Sequence, residues 1–199
     1  MMIRRYIFTL ALLFMIGFTS CVNLKPVPSE TESYTLGPVV AVPTMQGSNS
    51  SETIYIMRPQ VPTYLDGSRL SYRSASGEVK SMPGARWAEP LAEGIARALS
   101  LYLSGSSLGV VEGYYPWPNT SPAASRLSLH FQRFGATDSG DVQVLVRWSL
   151  KRAGGQTISG QYLPQSLNWS VGEADSLIKA YNEALRALSR EIEARVAQP

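Results

Sequence analysis

The sequence predicts an α+β domain: a single mixed or antiparallel β-sheet, including a C-terminal three-stranded meander, packed by two amphipathic helices. Two patterns carry this prediction. From Leu127 onward, apolar residues alternate with polar ones over two long runs and a weaker third. Before and after that stretch, apolar residues recur at spacings of three and four, the mark of a helix with one buried stripe. A sheet with one apolar face needs a cover, and the helices supply it. Length and composition agree. The chain has 199 residues, 44% hydrophobic and 17% charged, which suits one domain with a core and not a disordered chain.

In chain order, the first segment reads as a leader over residues 1–20. Arg4 and Arg5 are followed by the apolar run Tyr6 to Phe18 and then by Thr19-Ser20. The run has 13 residues; a membrane-spanning helix needs roughly 20. Cys21 is the single cysteine, so no internal disulfide can form. It is either a free thiol or a lipidation site. The layout favours the second, because Phe18-Thr19-Ser20-Cys21 resembles a bacterial lipobox, with Phe18 departing from the usual Leu. Two or more acyl chains on such a cysteine give stable anchoring. Val22 in place of Asp resembles the pattern of lipoproteins sorted to the outer membrane of Gram-negative bacteria. Residues 21–33 then form the lipidated cysteine and a polar tether, and residues 34–199 the globular domain. A tether of a dozen residues reaches at most about 40 Å, so the domain stays near its membrane.

Within the domain, Tyr34-Thr35-Leu36, Val39 to Val42 and Thr53 to Met57 read as β segments. Arg69 to Arg73 and Glu78 to Met82 are short and half-polar, as edge strands are, and Asp66-Gly67 and Ser76-Gly77 punctuate them. A first helix is expected from about Arg86 to Tyr102, with the stripe Trp87, Leu91, Ile95, Ala98, Leu99 and Tyr102. Pro90 falls early in it, where a missing N–H is tolerated. The meander uses Leu127, Leu129 and Phe131, then Val142 to Leu150, then Ile158 and Tyr162. A last helix is expected from about Val171 to Val196. Ala174, Leu177, Ile178, Tyr181, Leu185, Leu188 and Ile192 form its stripe, and Ser170 and Glu173 have capping-box spacing.

Charge and motifs narrow the chemistry. The formal charge is +3, but Arg4 and Arg5 belong to the leader, so sixteen basic and fifteen acidic residues remain beyond it. That near-balance, with no visible basic patch, argues against nucleic acid as a partner. His130 is the one histidine and sits on a polar strand face, without the cluster that a metal or catalytic site needs. No nucleophile elbow, phosphate loop or zinc-binding helix motif occurs. Asp66 and Glu112 are isolated carboxylates. The expectation is a protein that is not an enzyme and uses no cofactor or metal.

Several segments, in order, resemble the PqiC/YmbA family of auxiliary lipoproteins of ABC-type, MCE-linked transport systems. They are Tyr34-Thr35-Leu36-Gly37-Pro38, Arg58-Pro59, Val61-Pro62-Thr63-Tyr64-Leu65-Asp66, Arg86-Trp87-Ala88-Glu89-Pro90-Leu91, Tyr115-Pro116-Trp117, Phe134, Arg147-Trp148 and the final helix around Tyr181 to Ile192. The resemblance covers most of the chain beyond the leader. It implies a lipoprotein on the periplasmic face of the outer membrane. The implied partners are an MCE-domain protein that bridges the periplasm, an inner-membrane permease and an ATPase. The implied cargo is phospholipid or another hydrophobic molecule, and homo-oligomeric assembly is also implied.

Two loops are candidates for docking. One holds Tyr115 and Trp117, an aromatic cluster of the kind found at hot spots, although Trp117 could equally plug the end of the core. The other holds Tyr64, Leu65 and Asp66, where prolines fix an extended loop that could equally be a plain turn. Trp87 and Trp148 are assigned to the core. Two other readings stay open: an envelope scaffold or assembly lipoprotein without lipid traffic, and a lipid-anchored hydrolase.

Overall fold

The computed structural model describes residues 31–38, 52–104, 108, 110–114 and 124–197. The chain runs through β1 (Glu32–Tyr34), β2 (Thr53–Ile56), a 3-10 turn (Thr63–Leu65), β3 (Arg69–Arg73) and β4 (Val79–Trp87). Helix α1 (Leu91–Leu103) follows, then β5 (Val110–Tyr114), β6 (Ser125–Thr137), β7 (Asp141–Lys151), β8 (Thr157–Tyr162), β9 (Leu167–Asn168) and helix α2 (Ala174–Val196). The expected leader, Cys21 and the segment Val39 to Val42 lie outside the described residues. Glu32 and Ser33, in the segment read as tether, pair in β1.

Strands β6 and β7 are the longest, and the alternating pattern explains them. They pair antiparallel from Arg126↔Lys151 to Ala136↔Val142, with Leu127, Leu129 and Phe131 facing Leu150, Trp148 and Val146 on the buried side. A bulge between Phe131 and Arg133 inserts one residue, so Phe134 returns to the buried face three positions after Phe131. Strand β8 adds antiparallel to β7 and completes the predicted meander.

The other edge of β6 is shared. Strand β2 pairs parallel with Ser125 to Leu127, Gln60 bridges to His130, and β3 pairs parallel with Ala136 and Thr137. Beyond β2 lies β5; beyond β3 lie β4 and then β1. One mixed sheet of nine strands results among the described residues. Strand β3 is internal where Tyr72 and Arg73 meet β6, whereas β4 takes β1 only at Ala85 to Trp87, so its stretch from Val79 to Met82 is an edge among the described residues, as its half-polar pattern predicts. The outward residues of both strands lie on a face that no described element covers.

Both helices cover the same face and join one apolar cluster with it. Helix α1 starts at Leu91 and not near Arg86, because Arg86 and Trp87 finish β4, where the Trp87 N–H donates to the Ser68 carbonyl at 2.8 Å. Pro90 then fixes the backbone just ahead of the first turn. Helix α2 starts at Ala174, and the expected capping box does not form. Glu173 makes no side-chain cap bond, and the Ser170 N–H instead donates to Ser176 Oγ at 2.8 Å. Trp87 and Trp148 are buried as predicted, and Trp169 is buried as well.

Among the described glycines, the closest approach to a neighbour is where Trp148 crosses β8. Its partner there is Gly160, and a Cβ at that position would stand 2.8 Å from the indole. Gly160→Ala should therefore force the ring aside and cost roughly 1–3 kcal/mol, as overpacking does. Urea unfolding measures this. Trp148→Phe in the same background should recover part of the loss, and an unchanged midpoint for Gly160→Ala alone would contradict the contact.

Candidate docking surface

The Tyr64, Leu65 and Asp66 loop is a folded 3-10 turn and not an extended segment. The Leu65 N–H donates to the Pro62 carbonyl at 2.9 Å, and the Asp66 N–H to that of Thr63 at 3.3 Å. The turn sends its three side chains different ways. Leu65 is buried in the core, Tyr64 is 46% exposed, and Asp66 is engaged on two sides. One carboxylate oxygen of Asp66 meets Arg58 at 2.7 Å, and the other accepts the Ala92 N–H at 3.3 Å. Asp66 thus does for α1 what Pro90, lacking a side-chain oxygen, does not do in the cap position. Tyr115 and Trp117 lie outside the described residues, as does Cys21.

Several other segments of the family resemblance, those around Leu36-Gly37, Glu89 and Asn182, converge on or beside α1. Arg97 holds Glu89 at 2.5 Å and the Leu36 carbonyl at 2.7 Å. The Gly37 N–H donates to Asn182 Oδ1 on α2 at 2.7 Å. Gly37 has φ +101°, and a Cβ there would come within 3.3 Å of Ala98, so glycine suits both the backbone and the close approach. Beneath, Tyr181 stacks on Phe134 at 4.4 Å between centroids and faces Trp87 at 6.2 Å, while Phe131 meets Phe134 edge-on at 5.3 Å. Burial, and secondarily the nearby Tyr64, raises the Tyr181 hydroxyl well above the usual tyrosine range. These segments therefore brace the helices against the sheet.

Openings lie instead on the side of the sheet that no described element covers. Residues 132–135 of β6 have no strand partner on the edge between Gln60 and β3 among the described residues. A groove of about 350 Å³ opens there, lined among others by Tyr64, Arg73, Ser74, Gln132, Arg133 and Phe134. A shallower depression of about 220 Å³ holds Gln60, His130, Arg147 and Ser149. His130 is paired across the strands with Arg147. Neither opening is lined by a carboxylate or thiol among the described residues, so neither offers an acid–base pair there. What they offer is hydrogen bonding and positive charge. Sequence reasoning found Tyr64 but missed Arg73 and Arg133, which lie far apart along the chain and meet only through the parallel pairing of β3 with β6.

The described residues define a class: an α+β domain with helices on one sheet face, a braced core, and grooves on the bare face suited to contact. Residues 34–193 match the family of ABC-type transport auxiliary lipoprotein components, and the chain belongs to that family. The PqiC/YmbA resemblance pointed to the same family. Among solved structures, an uncharacterized protein matches at 21% identity with a TM-score of 0.67, over 84% of this chain and 100% of its own. A protein from Xanthomonas campestris placed in the DUF330 family matches at 16% identity with a TM-score of 0.59, over 81% of this chain and 92% of its own. At these identities the two structures speak for the fold alone. No match is found among curated proteins.

The two neighbours in the turn should separate on substitution. Asp66→Ala removes the acceptor at the α1 terminus and should lower stability by about 1 kcal/mol, the usual cost of a lost cap. Tyr64→Ala, on an exposed side chain, should stay within about 0.5 kcal/mol of the parent. Thermal melts check both. A larger loss for Tyr64→Ala than for Asp66→Ala would reverse the assignment.

Proposed function

We propose that this chain is an outer-membrane lipoprotein, anchored through Cys21, that acts as a non-enzymatic docking subunit of an ABC-type, MCE-linked lipid transport system. The carrying observation is the family match over residues 34–193. In this reading the domain sits on the periplasmic face and contacts an MCE-domain protein that bridges to an inner-membrane permease and ATPase. The cargo is phospholipid or a similar hydrophobic molecule. Energy comes from the ATPase, and no helix among the described residues is long and apolar enough to cross a membrane. Tethering supports the role, because holding the domain near its partner raises local concentration and compensates for modest intrinsic affinity. Tyr64, exposed on a braced turn, is a contact residue in this proposal. So are Tyr115 and Trp117 of the aromatic loop.

Capture of an MCE partner by the purified lipoprotein tests the reading. Tyr64→Ala and Trp117→Ala should each weaken capture about thirtyfold, the value of a hot spot worth roughly 2 kcal/mol. Cys21→Ser should abolish acyl incorporation while the unanchored domain still binds in solution. Failure of the parent protein to capture any MCE partner would contradict the docking role, and acyl incorporation in Cys21→Ser would contradict the anchor.

A further inference from the structure

The near-neutral charge of the sequence hides a sorting that the fold performs. Arg69, Arg73, Arg86, Arg133, Arg147 and Lys151 are all exposed, and each adjoins a strand residue packed on the core. Period-two alternation therefore sends all six to the face turned away from the helices. Among the strand residues whose side chains are described, Asp141, at the end of the β6–β7 hairpin, is the one carboxylate on that face. None of the six forms a salt bridge among the described residues. Glu78 and Asp138 stand in turns near Arg73 without pairing to it. Twice, the register sets cation directly across from cation, at Arg69↔Arg86 and Arg126↔Lys151. Such pairs oppose sheet formation, and the core does not require them. An anionic partner removes the repulsion.

The groove sharpens the chemistry. Arg73 and Arg133 line it together, and guanidinium groups match phosphate oxygens in a two-pronged fit. At its rim Tyr64 is 46% exposed, and Val79, paired across from Arg73, is 45% exposed. These are two of the four large apolar side chains that are exposed among the described residues. An acidic, hydrated polypeptide would satisfy the arginines and gain little from Tyr64 and Val79. The headgroup region of a lipid layer offers phosphate to the first and an apolar boundary to the second. We propose that the outer sheet face binds anionic phospholipid headgroups, with a headgroup phosphate seated in the Arg73–Arg133 groove.

The proposal rests on the lipid-transport reading above for its source of lipid, and a vesicle assay free of transporter components lets each fail separately. The probe is flotation of the unlipidated polypeptide from Val22 onward. It is mixed either with phosphatidylcholine vesicles or with vesicles that also contain phosphatidylglycerol. Binding is expected to the mixed vesicles alone and should weaken as salt is added. Removing one cation near an anionic surface costs roughly fivefold, so Arg73→Gln with Arg133→Gln should lose about twenty-five-fold. Lys179→Gln with Arg190→Gln, the same charge change on exposed positions of α2, should lose about twofold or less. If the first double variant melts early, Arg147→Gln carries the test with about a fivefold loss. Equal binding to both vesicle types, or equal losses in the two double variants, overturns the proposal. So does loss-free binding by Arg147→Gln where it carries the test. Capture of polyglutamate without capture of vesicles also overturns it, in favour of an acidic protein. Capture of soluble glycerol phosphate without vesicles overturns it in favour of a free anion.

Discussion

The antiparallel pairing of β6 with β7 is the constraint on which the rest of the structure depends. Its inner face supplies Leu127, Leu129, Phe131, Phe134, Val144, Val146, Trp148 and Leu150 to the core, all of them buried. Its two outer edges recruit every other part of the sheet. One edge takes β8 and β9; the other takes β2 at one end and β3 at the other. Because β2 and β3 share one edge of the same strand, a gap must open between them. The groove at residues 132–135 is therefore a consequence of topology. The bulge beside it keeps Phe134 on the core side while Arg133 is exposed at the opening.

Several described segments that carry the family resemblance serve this frame. Leu36-Gly37, Glu89 and Asn182 come from three parts of the chain and meet on or beside α1 through Arg97 and the bond from the Gly37 N–H to Asn182. Asp66 adds a terminus bond from a fourth part. These polar ties are partly exposed, so their worth lies in fixing geometry more than in Coulomb energy. They set the position of α1, and α1 with α2 seals one face. Among the described residues no element covers the opposite face, and its cations are spread over β3, β4, β6 and β7.

Legibility in the sequence followed the range of the interactions. The meander and both helical stripes were readable because they rest on periodicity within one element. The start of α1 was not, since Trp87 satisfies a helical stripe and a strand end equally well, and only its bond to Ser68 decides. The capping box failed for a similar reason: Ser170 and Glu173 have the right spacing, but Ser176 takes the Ser170 N–H. The parallel pairings of β1, β2, β3 and β5 bring together distant segments and leave no local mark. In the candidate site, Tyr64 was readable as an exposed aromatic next to prolines. Leu65 looked similar but is buried, and Asp66 is an acceptor for α1. The basic face was invisible because net charge sums over both faces, while the pleat separates them.

Hydrogen exchange followed residue by residue on the polypeptide from Val22 onward tests the primacy of the hairpin most directly. If β6 and β7 form the spine, their mutually bonded amides between Leu127 and Leu150 exchange only through global unfolding, while β1 and β9 at the periphery open first at a fraction of that free energy. If β6 and β7 exchange as readily as β1 and β9, while the helices remain protected, the sheet is not organised around this pairing.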